Sequence, residues 1–331
     1  MSIGFAVVGM GMGWARCRDL VKTPGTDLKC VVDLDAEKAR RAGEELGCDH
    51  YGSLEPALGR KDVSCVMIMT PSGTHLEIAE QVARAGKHVL TTKPMEVTAD
   101  KCLRMIAAAK RHGVKLAVDY EFRYDARLRQ AKWALEQGML GRPMMCEVRC
   151  KWFRGQEYYD QGGWRGTWKM DGGGALANQG SHLLDIILWL MGPPKAVSAE
   201  VCTLNHKIET EDTGAAMVEF KNGSRGLIQS TTTFPENTFF GVELHGTEGA
   251  FIIPSLTSPS RDDSYLLLKD AKKREAILSI KSDLPNGMAD MARYIEKGIP
   301  PMAGAAEGLA AVRFLSEIYD AARKGSRVQC G

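Results

Sequence analysis

A short apolar run that ends in closely spaced glycines constrains this chain more than any other feature. Phe5-Ala6-Val7-Val8 is long enough for a buried strand and too short for a helix. Gly9-Met10-Gly11-Met12-Gly13 follows, and Ala15 to Val21 reads as the start of a helix. Strand, glycine turn and helix is the context in which such a motif binds a dinucleotide. Gly9 permits the tight turn, and Gly11 lets a pyrophosphate approach the backbone. The N–H groups and dipole at the helix start then favour that anion. The usual G-x-G-x-x-G spacing calls for a third glycine at the position of Trp14, and Gly13 comes one residue early. A second apolar run, Leu28 to Val32, leads into Asp33, about 20 residues past the glycines, where an acidic group meets the adenosine ribose. A carboxylate accepts the 2′-hydroxyl and repels a 2′-phosphate. Leu34 follows it rather than an arginine, so NAD is the expected cofactor, while Arg40 and Arg41 keep NADP in play.

The chain has 331 residues, beyond the roughly 250–300 at which a single core stops growing, so two domains are expected. A net charge of +2 without blocks of like charge gives no reason to expect a nucleic acid. Nine cysteines occur without C-x-x-C pairs or a companion histidine cluster. That pattern fits buried thiols in a reducing cytoplasm, with no metal site and no disulfide framework. The N-terminus enters a strand at once, without a signal-peptide pattern. The longest apolar helical run, Leu183 to Met191, contains Asp185 and falls short of the ~18 residues of a membrane span, so no membrane partner is expected.

Residues 1–122 alternate strand and helix patterns: a helix over Glu37 to Leu46, strands over Val63 to Met69 and Lys87 to Thr92, helices over His75 to Ala85 and Asp100 to His112, and a strand over Val114 to Val118. This predicts a Rossmann doubly wound parallel sheet, with ligands beyond the carboxyl ends of its strands. Gly9, Asp33, Thr70 and Lys93 fall at such ends. Residues 123–331 change character: a helix near Ala126 to Gln137, a Gly- and Trp-rich loop, a helix near Ser181 to Leu190, then mostly strands, with a hairpin turn at Asn222-Gly223. This predicts an α+β domain with a largely antiparallel open sheet. Late helices are expected over Met288 to Glu296 and Ala305 to Lys324. Strands such as Ala215-Ala216-Met217-Val218 are apolar on both faces, which predicts a homodimer or homotetramer packed through that sheet.

Several motifs together resemble the Gfo/Idh/MocA oxidoreductases, the glucose–fructose oxidoreductase and inositol dehydrogenase family. They are Gly9 to Gly13, Thr70-Pro71…His75, Gly86-Lys87-His88-Val89-Leu90…Lys93-Pro94 and Gly172-Gly173-Gly174…Gly180-Ser181-His182…Asp185, with Glu211-Asp212-Thr213 and Gly246-Thr247-Glu248-Gly249 later. The resemblance covers essentially the whole chain. It implies an NAD(P)-dependent dehydrogenase acting on a hydroxyl of a small sugar, cyclitol or related polyol. It also implies a cofactor site made by Gly9, Met10, Gly11, Met12, Gly13, Asp33, Thr70, Pro71, His75, Lys93 and Arg165, and a cis Lys93-Pro94 bond.

Lys93, locked by Pro94 just past a strand, is the first catalytic candidate, because an ammonium steadies a developing alkoxide. The family writes Glu-Lys-Pro where this chain has Thr92-Lys93-Pro94, which removes one charge partner. His182 matches the family's acid–base histidine and would take the hydroxyl proton. The family often carries an aspartate four residues earlier, where this chain has Asn178; Asp185 shares a helix face with His182 and is a candidate substitute, as well as a candidate packing contact. The loop from Trp152 to Trp168 offers Arg154, Tyr158, Tyr159, Trp164 and Arg165 to a substrate with apolar C–H faces and polar edges, and Tyr159 is the reserve proton acceptor. Two other functions fit the same residues: cleavage of a glycosidic bond by transient oxidation on tightly held NAD, and non-catalytic nucleotide sensing.

Overall fold

The structure is a computed structural model that describes residues 2–237, 239–257 and 265–331. The chain forms two compact units, one of residues 1–121 and 284–309, the other of residues 122–283 and 310–331.

The first unit alternates β1 (Ile3–Val8), α1 (Gly13–Lys22), β2 (Thr26–Val32), α2 (Ala36–Leu46), β3 (Asp49–Tyr51), α3 (Glu55–Leu58), β4 (Cys65–Ile68), α4 (His75–Arg84), β5 (His88–Thr92), α5 (Ala99–Arg111) and β6 (Leu116–Asp119). The strands pair in the order β3-β2-β1-β4-β5-β6, and every pairing is parallel. Helices cover both faces of such a sheet, so its central strands β1 and β4 are mostly apolar and buried on both sides. Local chemistry sets the helix ends. Asp35 accepts the N–H groups of Glu37 and Lys38 at the start of α2, Gly47 closes it in the left-handed region, and Thr98 caps α5. The chain begins in the middle of the sheet, works outward to β3, and crosses back to β4. The crevice between β1 and β4 is therefore the topological switch point, where ligands bind in open α/β sheets.

The second unit contains α6 (Ala126–Glu136), β7 (Pro143–Lys151), α7 (Gln156–Asp160), α8 (Ser181–Met191), β8 (Pro194–Cys202), β9 (Thr213–Phe220), β10 (Arg225–Thr231), β11 (Phe239–Gly246), β12 (Gly249–Ile253), β13 (Tyr265–Leu268) and α9 (Ala271–Leu278). After α10 (Gly287–Lys297) the chain ends with α11 (Ala305–Lys324) and β14 (Val328–Gln329). The second sheet runs β13-β12-β11-β7-β10-β9-β8-β14. It is antiparallel except where β10 lies parallel to β7. Strands β7, β9 and β10 alternate between a buried and an outward face. Cys146, Val148 and Cys150 of β7 and Ala216 and Val218 of β9 face a core shared with Leu183, Ile186 and Ile187 of α8 and Leu128 of α6. The opposite face carries Glu147, Arg149, Ala215, Met217 and Glu243, with Arg149 paired to Glu147 at 3.0 Å and to Glu243.

One segment departs from chain order. The sequence groups residues 284–309 with the second domain, yet they pack in the first unit. Met288 and Met291 of α10 join the core made by Val7, Leu90 and Ala117. The backbone follows them. Val118 N–H donates to the Ala303 carbonyl at 3.1 Å, Asn286 Nδ2 to Thr23 Oγ1 at 2.8 Å, and Lys115 Nζ to the Tyr294 and Ile295 carbonyls. Burying each methionine stabilises the unit by roughly 1.5–3 kcal/mol, which outweighs chain proximity. All nine cysteines are free thiols, and no described helix is long and apolar enough to cross a membrane.

Candidate active site

At the switch point the three glycines divide the work. Gly9 has φ +95, and a Cβ there would meet the Met69 carbonyl oxygen at 2.8 Å. Gly11 faces open space. Gly13 opens α1, and a Cβ on it would lie 3.2 Å from the Met69 Cβ and 3.4 Å from a Val7 methyl. Close helix–strand packing is the role of the third fingerprint glycine, so Gly13 fills it one residue early, and Trp14 turns its ring towards the Arg41 guanidinium at 5.9 Å. Residue Met12, at the start of α1, gives no side-chain cap, and no acidic residue occupies the first turn. Those orphan N–H groups suit an anion, so the loop fits the pyrophosphate of a dinucleotide. Asp33 accepts Met10 N–H at 2.6 Å and Asp35 N–H at 2.9 Å, which ties the ribose-side carboxylate to the glycine loop. The Met10 side chain is buried in the core, so what this residue offers at the loop is its backbone. Arg40, one of the two arginines that kept NADP in play, is engaged by Glu37 and Glu44.

His75 braces two loops of this edge. Its ring is fully buried, with one nitrogen 3.1 and 3.2 Å from the Pro94 and Met95 carbonyl oxygens and the other 3.0 Å from that of Thr70. Burial holds the imidazole below its ordinary pKa. The ring thereby links the loop after β4, where Thr70 Oγ1 lies 2.7 Å from Thr74 Oγ1, to the loop that carries Lys93. Lys93 is half-buried, directly after β5, and its bond to Pro94 is cis. Glu96, three residues on, accepts from Lys101 at 3.2 Å.

In the second unit a glycine-rich turn delivers α8. Gly174 and Leu176 donate to the Glu211 carboxylate at 3.0 and 2.9 Å, and the Tyr319 hydroxyl donates to it at 2.9 Å. A Cβ on Gly174 would collide with the Glu211 backbone. Burial pushes the Glu211 carboxyl up to about 7. Asn178 Nδ2 donates to Asp171 Oδ1 at 2.8 Å, and the other Asp171 oxygen accepts Gly166 N–H at 3.0 Å. An aspartate thus stands behind the asparagine that replaces the family's aspartate. His182 sits in the first turn of α8, 6% exposed, its ring edge-on to Phe122 at 4.8 Å.

Asp185 takes the packing role. It binds Arg123 through two hydrogen bonds, from Nε at 2.8 Å and Nη2 at 2.7 Å, and the guanidinium lies 5.2 Å over Trp189. Tyr159 is ill-suited as reserve base. Its hydroxyl is 2.7 Å from Thr232 Oγ1, and burial pushes it up to about 12. Arg154, Tyr158, Trp164 and Arg165 do come together, with both guanidinium groups against the Tyr158 ring. The Tyr158 hydroxyl accepts from Gln179 Nε2 at 3.3 Å. Asp171, Arg123, Gln179 and Glu211 escape the sequence-based choice of site residues. Their partners lie 5 to 108 positions away in the chain, and of the four only Glu211 falls in a motif, one that gives no sign of its role. Among the described residues no group of His, Cys, Asp and Glu is placed to hold a metal ion.

A glycine-loop anion cradle on a parallel sheet, joined in one chain to an open mixed sheet, defines a dinucleotide-dependent oxidoreductase. Residues 3–120 match the oxidoreductase family profile with an NAD-binding Rossmann fold, and residues 128–252 match the GFO/IDH/MocA C-terminal domain. The chain belongs to the Gfo/Idh/MocA oxidoreductase family. It is similar to the WlbA dehydrogenase from Bordetella pertussis, solved with NADH and UDP-GlcNAcA, at 31% identity and a TM-score of 0.89, covering 100% of this chain and 99% of that one. It is 27% identical over 260 residues to the scyllo-inositol 2-dehydrogenase (NAD(+)) of Bacillus subtilis strain 168, covering 76% of this chain and 73% of that protein. It is 28% identical over 251 residues to the levoglucosan dehydrogenase of Pseudarthrobacter phenanthrenivorans strain Sphe3, covering 66% and 62%.

Proposed function

We propose that this protein transfers hydride between a secondary hydroxyl of a sugar, cyclitol or sugar derivative and nicotinamide. The observation that carries the reading is the switch-point crevice, where the uncapped start of α1, the Asp33-tied glycine loop and the Lys93 loop stand at the carboxyl ends of one parallel sheet. When bound, NAD supplies the hydride acceptor. In the oxidation direction His182 takes the hydroxyl proton as the carbonyl forms. Lys93 contributes the positive charge that steadies the oxygen while the C–H bond breaks. Asp171 holds Asn178 in place one turn before His182. The named relatives, which include a cyclitol and an anhydrosugar dehydrogenase, support this substrate class.

We further assign the protein to the cytoplasm, on its nine free thiols. We assign it a homo-oligomeric state, on the uncovered face of the second sheet. The test of the reaction is NADH formation across a panel of sugars and cyclitols. His182→Ala is expected to lower kcat by about 10²–10⁴-fold with NAD affinity unmoved, and Lys93→Ala by at least as much. Turnover at wild-type level in both variants would overturn these assignments. Product formed without net NADH would replace the reading with transient oxidation.

A further inference from the structure

Two guanidinium groups lie against one aromatic ring. The Cζ of Arg165 is 4.5 Å from the Tyr158 centroid and that of Arg154 is 5.3 Å from it. Each also packs on a tryptophan, Arg165 on Trp164 at 4.7 Å and Arg154 on Trp152 at 5.1 Å. Among the described residues neither has a carboxylate at ion-pair distance. Their hydrogen bonds go to neutral oxygens. Arg154 Nη1 donates to the Phe153 carbonyl at 2.6 Å and to Asn237 Oδ1 at 3.0 Å, and Arg165 Nη1 donates to the Gln161 carbonyl at 3.3 Å. The Arg165 Nε–H is buried and meets no acceptor among the described residues. The acids nearest in sequence are engaged elsewhere. Asp160 accepts from Gln156 at 2.9 Å, Asp171 accepts from Gly166 and Asn178, and the Glu157 carboxylate folds back over Gly155.

Two like charges brought to one ring repel, and a half-buried site strengthens that repulsion relative to water. The fold nevertheless holds them there. Arg154 N–H donates to the Thr232 carbonyl at 2.9 Å, and its own carbonyl lies 2.7 Å from His206 Nε2. His206 is in turn anchored by Asp212, with Nδ1 and Oδ2 3.0 Å apart. The Tyr158 hydroxyl is bonded to Gln179, a buried residue three positions before His182. The positive pair is therefore tied to the segment that leads into the proposed proton acceptor.

We infer that Arg154 and Arg165 form an anion subsite, so that the sugar oxidised by this protein carries a negatively charged carboxylate or phosphate. This rests on the hydride-transfer reading above. Planar guanidinium forks pair with both anions through two N–H donors, and such charge-assisted bonds are about twice as strong as neutral ones. Aromatic stacking fixes the plane of each fork, which lowers the ordering cost of engagement.

The test uses the full-length protein with NAD and four probes: glucose, glucuronate, UDP-glucose and UDP-glucuronate. Calorimetry reads affinity, and absorbance reads NADH. At least one acidic probe is expected to bind about 10–100-fold more tightly than its neutral counterpart. Glucuronate over glucose assigns the carboxylate, and UDP-glucose over glucose assigns the phosphates. Arg154→Gln and Arg165→Gln should each abolish most of that margin, with NAD affinity unmoved in Arg154→Gln, and Arg154→Lys and Arg165→Lys should restore part of it. Four results overturn the subsite: equal affinity for acidic and neutral probes, equal weakening of both by the glutamine variants, a parallel fall in NAD affinity in Arg154→Gln, or no probe bound at millimolar concentration. Neutral sugars oxidised as fast as acidic ones would sink the subsite and leave hydride transfer standing. Tight binding of an acidic probe without NADH formation would do the reverse.

Discussion

Replacing Asp185 by asparagine separates a packing role from a chemical one. Arg123 and Asp185 are 3% and 2% exposed, and their two hydrogen bonds measure 2.7 and 2.8 Å. Asp185→Asn takes a charged, doubly hydrogen-bonded partner away from a buried guanidinium. Removing one partner of such a pair costs about 3–5 kcal/mol, a large part of the ~5–15 kcal/mol that holds a domain folded. At roughly 2–4 °C per kcal/mol the melting temperature should fall by about 6–20 °C. Arg123→Met with Asp185→Leu removes both charges and should recover most of the loss, because well-packed apolar residues often match a buried ion pair. Turnover should follow more gently. Phe122, next to Arg123, packs on His182, so loosening that segment disturbs the aim of the imidazole rather than its chemistry. The assay pairs thermal unfolding by circular dichroism with NADH production well below the transition. If Asp185→Asn melted like the wild type while turnover fell a hundredfold, and the double variant stayed inactive, the argument would fail and Asp185 would belong to proton transfer.

Three further outcomes can be measured. The Glu211 carboxyl, pushed up to about 7, binds its proton more tightly when folded than when unfolded. Stability should therefore fall by about 3 kcal/mol as pH rises from about 4.5 to about 7, and Glu211→Gln should flatten that slope in urea unfolding; an unchanged slope would count against the burial argument. NAD should bind more tightly than NADP, and Asp33→Ser should narrow the gap, whereas equal wild-type affinities by calorimetry would remove Asp33 as the discriminator. Met217, 58% exposed on the open face of β9, should lie between copies of the chain, so Met217→Arg should shift light scattering to a smaller species; a wild-type monomer at micromolar concentration would contradict this.

Periodic stretches were legible in the sequence because burial writes itself into them. The helix expected over Ala305 to Lys324 is observed with those ends, and the strands of the parallel sheet appear within a few residues of their apolar runs. Short polar elements such as β3, with exposed Asp49 and His50, carry no such signal. Glycine spacing misled only in part. What matters at Gly13 is that an added Cβ would lie only 3.2 Å from Met69, a constraint that no spacing rule contains. Lys93 stood out because Pro94 follows it at a strand end, and His182 because it comes two residues after Gly180 at a helix start. Arg123 and Asp171 act through partners that only the folded chain brings near. His75 shows the reverse case, a residue conspicuous in a motif whose ring serves three carbonyl oxygens.

The split ancestry of the first unit sets a timetable for its birth. All six strands of its sheet have been translated by Asp119, but Met288 and Met291, which finish its core, come far later. At ~5–20 residues per second, a ribosome needs roughly 10–30 s to reach them. Throughout that interval the apolar surface around Leu90 and Ala117 lacks its cover and is a target for chaperones and for aggregation. A premature stop between residues 121 and 288 therefore damages the dinucleotide-binding unit from a distance, although every cofactor contact proposed within that unit is still present.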